Sequence, residues 1–185
     1  MLDKLFVLSQ YVTPQLTLSR LAGRLADYDR SPALKNRVIS WFIDRYGVNM
    51  SEAAESDPTA YDSFNAFFTR ALKPGVRNVD QTPDVFVSPV DGAISQLGQV
   101  TADDRVFQAK GQSFSLTELL GGDEKRAEAF REGEFSTIYL SPKDYHRIHM
   151  PMAGTLKEMV YVPGKLFSVN PVTAENVPNL FARNE

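Results

Sequence analysis

The segment DVFVSPVDGAISQLGQV, residues 84–100, decides the fold class of this chain. Before it, apolar residues recur with the period of about 3.6 that is typical of an amphipathic helix, whereas this segment alternates with a period of about 2. The cluster from Pro89 to Gly92 has the composition of a tight turn. The segment therefore predicts two strands joined by a turn, and the change of period indicates a boundary near residues 74–84.

The first 47 residues predict three helices. In the second and third of them a hydroxyl residue precedes a proline at the first helical position, where the missing N–H costs nothing. Gly47 follows the third helix and supplies a left-handed stop. The predicted helices are 2–12, 13–28 and 31–47, and the predicted capping residues are Thr13 and Ser31.

The remaining segments complete the prediction of an α+β fold. N-terminal amphipathic helices are followed by a mainly antiparallel, sandwich-like β body. A further helix is predicted in SFNAFFTRALKPG (63–75), and a short capped helix or a turn in SFSLTELLGG (113–122). Further strands are predicted in FSTIYLSP (135–142) and TLKEMVYVPG (155–164). The predicted divisions are a helical docking segment (1–47), a helical connector (48–83) and a β-rich body (84–185).

Charge is distributed unevenly along the chain. The 185 residues carry a formal net charge of -3, but residues 1–47 hold seven basic and four acidic groups, which gives +3 for them and -6 for the remainder. A basic N-terminal segment followed by an acidic remainder favours contact of that segment with an anionic partner or surface. The predicted N-terminal helices therefore have two interpretations: a bundle packed on the body, or a segment lying on an anionic bilayer.

Composition excludes several classes of site. The sequence has no cysteine, which excludes disulfides, thiolate metal sites and a cysteine nucleophile. The apolar start is interrupted at Asp3 and Lys4, so it does not have the pattern of a signal peptide. No apolar run approaches the roughly 20 residues of a spanning helix. We therefore expect that the chain does not cross a membrane by itself.

The stretch YHRIHMP, residues 145–151, contains both histidines of the chain, His146 and His149. The preceding SPKD (141–144) predicts a capped turn, which would place the two histidines near one end of a sheet. A metal site would need at least a third ligand, and no other histidine and no cysteine is available. Histidines that bond only to backbone groups are the structural alternative.

Acid–base chemistry is the other interpretation of the histidine pair. It needs a carboxylate that orients an imidazole, and Asp91 in the predicted Asp-Gly turn is a candidate. It also needs a nucleophile, but no serine of this chain lies in a G-x-S-x-G elbow or a similarly strained turn. Spacing alone therefore leaves the structural and the catalytic interpretations open.

Four long motifs resemble bacterial phosphatidylserine decarboxylase proenzymes, in order and along essentially the whole chain. They are SFNAFFTRALKPGVR (63–77), SPVDGAISQLG (88–98), YLSPKDYHRIHMP (139–151) and YVPGKLFSVNPVTAENVPNLFARNE (161–185). Ala66 departs from the family pattern, which would have glutamate there. The LGST motif at which such proenzymes cleave themselves is absent, so the sequence resembles the N-terminal part of the family's β chain.

The resemblance implies a reaction and roles for matching residues. Asp91 and His149 match the aspartate and histidine of the self-cleavage triad, and His146 matches the histidine implicated in decarboxylation. The implied activity converts phosphatidylserine to phosphatidylethanolamine and CO2 through a Schiff base on a pyruvoyl group, which self-cleavage makes from a serine. The implied cofactor is this covalent pyruvate, carried by the α chain, and no metal is implied.

The resemblance also implies partners and a location. The expected partners are the pyruvoyl-bearing α chain, phosphatidylserine in an anionic membrane surface, and a second copy in a homodimer of processed heterodimers, without nucleic acid. The expected location is peripheral, on the cytoplasmic face of the bacterial inner membrane, which favours the docking interpretation of residues 1–47. The alternative function, from a different class, is a non-catalytic peripheral lipid-binding protein on the same scaffold.

Overall fold

The structure, a computed structural model, describes residues 2–184. The helices are α1 (Leu2–Val12), α2 (Gln15–Ala26), α3 (Pro32–Tyr46), α4 (Phe64–Phe68), α5 (Leu116–Leu119), α6 (Glu124–Glu128) and α7 (Pro171–Asn176), with a 3₁₀ turn at Met50–Glu52. The strands are β1 (Ala93–Gln99), β2 (Arg105–Ala109), β3 (Gln112–Ser115) and β4 (Glu134–Tyr139). The chain is therefore a mixed α+β protein, with N-terminal helices followed by antiparallel strands in small sheets, as predicted. Within residues 2–184, no helix combines the length and the apolar character needed to span a bilayer.

The chain folds into two compact units, each assembled from segments that are distant in sequence. The first unit comprises Met1–Arg20, Ile94–Thr137 and Lys157–Glu185, and the second comprises Leu21–Ala93 and Ile138–Leu156. The predicted division at residues 47 and 83 cuts the sequence into consecutive segments, whereas the two units are defined by compactness. The units therefore do not test that division, which stays a prediction.

A β-hairpin organises the first unit. Strands β2 and β3 pair antiparallel, with Val106 opposite Phe114. The turn residues Lys110 and Gly111 both have positive φ, 42° and 80°. Two positive φ values are typical of the two-residue turn whose twist matches that of its strands. Val106 and Phe114 are buried, together with Leu116, in the core of this unit.

A second strand pair, β1 with β4, completes the sheets of the first unit. Val100 N, just after β1, donates to the Gly133 carbonyl at 2.8 Å, and Ser95 Oγ donates to the Thr137 carbonyl at 3.1 Å. The numbering rises on one strand as it falls on the other, so the pair is antiparallel.

Side-chain amides attach the junction of α1 and α2 to residues 166–168 of the first unit. Gln10 Oε1 accepts from Ser168 N at 3.2 Å, and Gln15 Oε1 accepts from Leu166 N at 2.8 Å. Gln15 Nε2 also donates to the Gln10 carbonyl at 2.8 Å. These bonds between uncharged groups hold the end of α1 and the start of α2 on the backbone of the later segment.

An aromatic core holds the second unit together. Ile39 on α3 and Phe67 on α4 are fully buried. The Phe42 ring contacts both Phe64 and Phe67, with centroid distances of 5.1 and 5.9 Å and steeply inclined planes. Edge-to-face pairs of this kind are each worth about 0.5–1.5 kcal/mol beyond their buried area. Gly47 ends α3 with φ of 69°, as the sequence predicts.

The start of α2 differs from the prediction. The helix begins at Gln15, and the Thr13 hydroxyl donates to the Ser9 carbonyl at 2.7 Å. Carbonyls in the last turn of a helix have no partner inside the helix. Thr13 therefore satisfies a carbonyl at the end of α1, and its prediction as the N-cap of α2 is wrong.

Two predicted strands do not form within the described residues. In residues 84–88, Asp84 has positive φ (64°), and the following Pro89 has no N–H, so a strand ladder cannot continue across it. Residues 155–164 have no paired strand within 2–184, and the side chains of Leu156 and Met159 are exposed. Both predictions followed the apolar alternation, which does not show whether a neighbouring strand pairs with the whole segment.

Candidate active site

The Asp91–Gly92 turn is fixed by close packing in the second unit. A Cβ added at Gly92 would lie 2.6 Å from the Tyr139 carbonyl oxygen and 2.9 Å from Ile138 Cγ2. Such distances are too short for any side chain, because the backbone itself would have to move. Before the turn, Ser88 Oγ donates to the Val90 carbonyl at 2.7 Å. The glycine therefore allows the carboxylate-bearing residue to lie directly against the end of β4.

The segment that leads into the histidines begins with the predicted capped turn. Asp144 N donates to the Ser141 carbonyl at 3.0 Å, and Asp144 Oδ2 accepts from Ser141 N at 2.6 Å and Ser141 Oγ at 2.8 Å. The acidic residue thus caps the turn in the way that the SPKD motif predicts. The turn does not continue into a helix, and residues 145–150 are irregular.

Two backbone hydrogen bonds join the histidine segment to the segment before Asp91. His149 N donates to the Pro89 carbonyl at 2.8 Å, and Val87 N donates to the Pro151 carbonyl at 3.0 Å. The side chains of Asp91 and His149 then line the same cleft, with a volume of about 660 Å³. The structure therefore brings together two of the three predicted site residues.

Tyr145 is a partner of His149 that the sequence analysis missed. Its hydroxyl oxygen lies 2.8 Å from His149 Nε2, and the two rings stack with a centroid distance of 5.5 Å. Tyr145 also lines the cleft. The spacing of four residues was the available signal, but it indicates contact only in a helix, and this segment is not helical.

Asp91 is held by an arginine that the sequence analysis also missed. Arg77 Nε donates to Asp91 Oδ1 at 3.0 Å and Oδ2 at 3.1 Å, and Arg77 Nη2 donates to Oδ2 at 2.5 Å. The same Nη2 donates to Glu52 Oε2 at 2.8 Å. Hydrogen bonds to Asp91 and then to Glu52 raise the pKa of Arg77 above its usual range. The guanidinium therefore stays charged at any pH at which the protein is folded.

His146 has a different environment from His149. Its Nδ1 lies 2.8 Å from the Asp144 carbonyl oxygen, and its ring packs on Phe68 with a centroid distance of 4.1 Å. A carbonyl oxygen only accepts, so Nδ1 carries the hydrogen and Nε2 is left to exchange a proton. Its sequence neighbours Tyr145 and Arg147 line the cleft, whereas His146 is not among the described lining residues and its ring packs on Phe68.

The end of α4 and the residues after it support the histidine segment. Arg70 is only 4% exposed, and its Nη2 donates to the Lys143 carbonyl at 2.9 Å. Burial lowers the pKa of Arg70, and its Nε and Nη1 have no hydrogen-bond partner among the described residues. Arg147 Nε donates to the Thr69 carbonyl at 2.8 Å. Residues 68–70 thus contact the segment on both sides of His146.

Metal ligation has no geometric support in residues 2–184, where no three histidine, cysteine, aspartate or glutamate side chains are grouped to hold an ion. The described cleft offers an imidazole, a carboxylate, a phenol and guanidinium groups. These are the groups of acid–base chemistry on an anionic or polar substrate.

Comparison with known families places the chain in one of them. A family model described as phosphatidylserine decarboxylase matches residues 64–185, more than half of the chain. This chain belongs to the phosphatidylserine decarboxylase family. A second family model, described as PSD, matches residues 5–47. The resemblance carried by the four sequence motifs is thereby confirmed.

Individual phosphatidylserine decarboxylase relatives match along the same length. The chain is 84% identical to the phosphatidylserine decarboxylase proenzyme of Marinobacter nauticus, over all of this chain and 64% of that protein. It is 64% identical to the proenzyme of Ectopseudomonas mendocina, over all of this chain and 64% of the relative. It is 62% identical to that of Bordetella pertussis, over 99% of this chain and 61% of the relative. The chain therefore spans less than two thirds of the length of these relatives.

Replacing Gly92 by alanine tests the packing that fixes the Asp91 turn. We expect Gly92→Ala to destabilise the protein by about 1–3 kcal/mol, because the new methyl group overlaps the Tyr139 backbone. Gly154→Ala is the matched control, since its Cβ would meet only Met150 Cε at an ordinary 3.5 Å. The midpoint of urea unfolding is measured for both variants. Equal midpoints for the two variants would contradict the close approach.

Proposed function

We propose that this chain is the β-chain portion of a phosphatidylserine decarboxylase, which converts phosphatidylserine to phosphatidylethanolamine and CO2 after self-cleavage of a proenzyme. The observation that carries the proposal is that Asp91 and His149 line one cleft in a chain of this family. The relatives are named proenzymes, which implies a processed chain partner. The α chain, a homodimer of processed heterodimers, and the lipid substrate are parts of the same proposal.

In the proposed self-cleavage, His149 acts as a general base. It takes the proton of a serine hydroxyl as the oxygen attacks the preceding carbonyl carbon, and it returns the proton to the leaving nitrogen. An ester thereby replaces a peptide bond. His149 Nε2 lies 2.8 Å from the Tyr145 hydroxyl, so the serine hydroxyl would have to replace tyrosine at this nitrogen.

Asp91 is the proposed orienting carboxylate. Its bonds from Arg77 use part of its capacity, since an ionised carboxylate has about four lone-pair sites. The remaining lone pairs can accept the other ring N–H of His149 across the shared cleft. A carboxylate in that position favours the imidazolium that forms when the serine proton is taken.

The cleft also fits the proposed pyruvoyl group. At about 660 Å³ it is in the ordinary range for a small-molecule site, and its wall includes His149, Arg147 and Asn78 as hydrogen-bonding groups for a keto amide. The group would supply a keto carbonyl that condenses with the substrate amine, with loss of water, and so links the breaking carboxyl bond to an electron sink. His146 is not among the described residues that line this cleft, and its ring packs on Phe68. Its proposed role, delivery of a proton from Nε2 to the substrate carbon after CO2 leaves, therefore requires the ring to turn toward the cleft.

The N-terminal helices are the proposed membrane-docking surface, on the cytoplasmic face of the inner membrane. The leucines of α1 and α2 are exposed to solvent, namely Leu2, Leu5, Leu8, Leu16, Leu18, Leu21 and Leu25. They lie within the part of the chain whose net charge is +3. A basic segment with exposed apolar side chains is typical of binding to an anionic lipid surface. A non-catalytic lipid-binding protein would share this feature, so the variants below decide between the two functions.

Substitution of Asp91 or His149 tests self-cleavage. In the full-length proenzyme, we expect Asp91→Asn and His149→Ala to leave the chain uncleaved, because each removes one member of the proton-transfer pair. Cleavage is followed on a denaturing gel over time. Asp62→Asn, at an exposed aspartate of the same unit, is the control that should cleave normally. Normal cleavage of either site variant removes that residue from the reaction.

Substitution of His146 separates processing from decarboxylation. We expect His146→Ala to cleave itself but to lose a factor of about 10² to 10⁴ in decarboxylation rate, the usual contribution of a positioned proton donor. Release of CO2 from phosphatidylserine in mixed micelles gives the rate, and the gel gives the processing. Full activity of the cleaved variant is the result that rejects His146 as the donor.

Salt dependence tests the docking surface. At about 1 kcal/mol per basic residue near an anionic bilayer, a net +3 contributes roughly 3 kcal/mol, or about a hundredfold in affinity at low salt. Sedimentation of the full-length proenzyme with phosphatidylglycerol vesicles should therefore weaken as salt rises. Arg20→Gln/Arg24→Gln should weaken it further, while Arg131→Gln in the acidic body should not. Binding that is independent of salt would contradict an electrostatic contribution.

A further inference from the structure

Arg77 links three separate segments of the second unit. It lies in the loop that follows α4, and its guanidinium bonds both oxygens of Asp91 at 2.5–3.1 Å and one oxygen of Glu52 at 2.8 Å. Glu52 belongs to the 3₁₀ turn after α3. We call these three residues the carboxylate clamp. It joins the proposed triad aspartate to a part of the chain that contributes no other proposed site residue.

Stability does not account for the carboxylate clamp. The side chains of Arg77 and Asp91 are 42% and 26% exposed, and ion pairs with this degree of exposure contribute little to stability. The contact instead fixes the orientation of the Asp91 carboxylate. Because Nε and Nη2 together contact both carboxylate oxygens, the plane of the carboxylate is fixed, which a single contact from an ammonium group could not achieve.

The charges of the carboxylate clamp also fit a role in orienting an imidazole. Two carboxylates and one guanidinium carry a net charge of -1, the charge of a lone aspartate. Glu52 therefore neutralises Arg77, and the charge that Asp91 directs toward a protonated histidine is kept. An arginine without this second partner would oppose the formation of an imidazolium in the same cleft.

We infer that Arg77 is a positioning residue for self-cleavage, which holds the Asp91 carboxylate in the plane that lets its remaining lone pairs accept from His149. This inference rests on the proposed function. Arg77 transfers no proton and forms no bond to the serine. It acts through Asp91, and Glu52 acts through Arg77.

Variants of the carboxylate clamp separate geometry from charge in the full-length proenzyme. We expect Arg77→Gln to slow self-cleavage about 10- to 100-fold, because a misplaced orienting group costs factors of this size. Arg77→Lys keeps the charge but loses the two-point contact, so an intermediate rate is expected. The double variant Arg77→Gln/Glu52→Gln restores the net charge of -1 without the contact and should stay as slow as Arg77→Gln. A double variant that cleaves at the wild-type rate would overturn the geometric role.

Controls exclude a loss of folding. Arg131→Gln removes an arginine that is 40% exposed and paired with Glu128 at 3.1 Å, and it should cleave like the wild type. Arg77→Ala with added guanidinium chloride at non-denaturing concentration should regain part of its rate, which a merely structural lesion would not do. If Arg77→Gln precipitates, this rescue still decides the matter, and its absence in a soluble Arg77→Ala counts against the inference.

Different cleavage results would contradict the positioning role of Arg77 and the proposed function. If the wild type cleaves, Asp91→Asn does not, and Arg77→Gln cleaves at the wild-type rate, the positioning role is wrong and the proposed function stands. If Asp91→Asn cleaves normally, the aspartate has no part in the reaction, and the proposed function falls together with the carboxylate clamp.

Discussion

The site depends on a short antiparallel contact between residues 87–89 and 149–151. Its two backbone hydrogen bonds, from His149 to Pro89 and from Val87 to Pro151, join segments that are about 60 residues apart in sequence. These bonds hold the aspartate turn and the histidine segment side by side, so that both line one cleft. A contact of this kind is costly in chain entropy, and so it needs support from packing elsewhere in the unit.

That support comes from the residues at the end of α4. Ser63 caps the helix by accepting from Ala66 N at 3.1 Å, and Phe67 anchors it in the aromatic core. The next residues then reach the histidine segment through a ring contact, a backbone carbonyl and a buried guanidinium. Arg70 Nε and Nη1 have no hydrogen-bond partner within residues 2–184, so the contact of this buried guanidinium with the Lys143 carbonyl carries a desolvation cost. Ala66, where glutamate was expected, leaves the reciprocal half of a capping box unmade.

Sequence reasoning succeeded where the signal is local and failed where it is not. Gly47, the SPKD turn and the extents of α1 and α3 follow from turn residues and periodicity, which act within a few residues. Ser31 is at the N-cap position of α3 as predicted, but its side chain makes no capping hydrogen bond there. The hairpin β2–β3 was missed because its strands are short, and the strand predicted over 155–164 was wrong because alternation does not reveal whether a partner exists. Arg77 lies at the end of a recognised motif, but its partners are 14 and 25 residues away in loops whose approach no periodicity encodes.

The glutamines at the junction of α1 and α2 bear on how the proposed docking to a membrane would be reversed. Gln10 and Gln15 anchor the junction to residues 166–168 through uncharged dipoles, on which dissolved ions have little influence. The attraction to acidic lipids that we propose for the N-terminal helices is, in contrast, partly ionic. In the proposed docking, a higher electrolyte concentration would therefore release the protein from the bilayer while the α1–α2 junction stays bonded to residues 166–168.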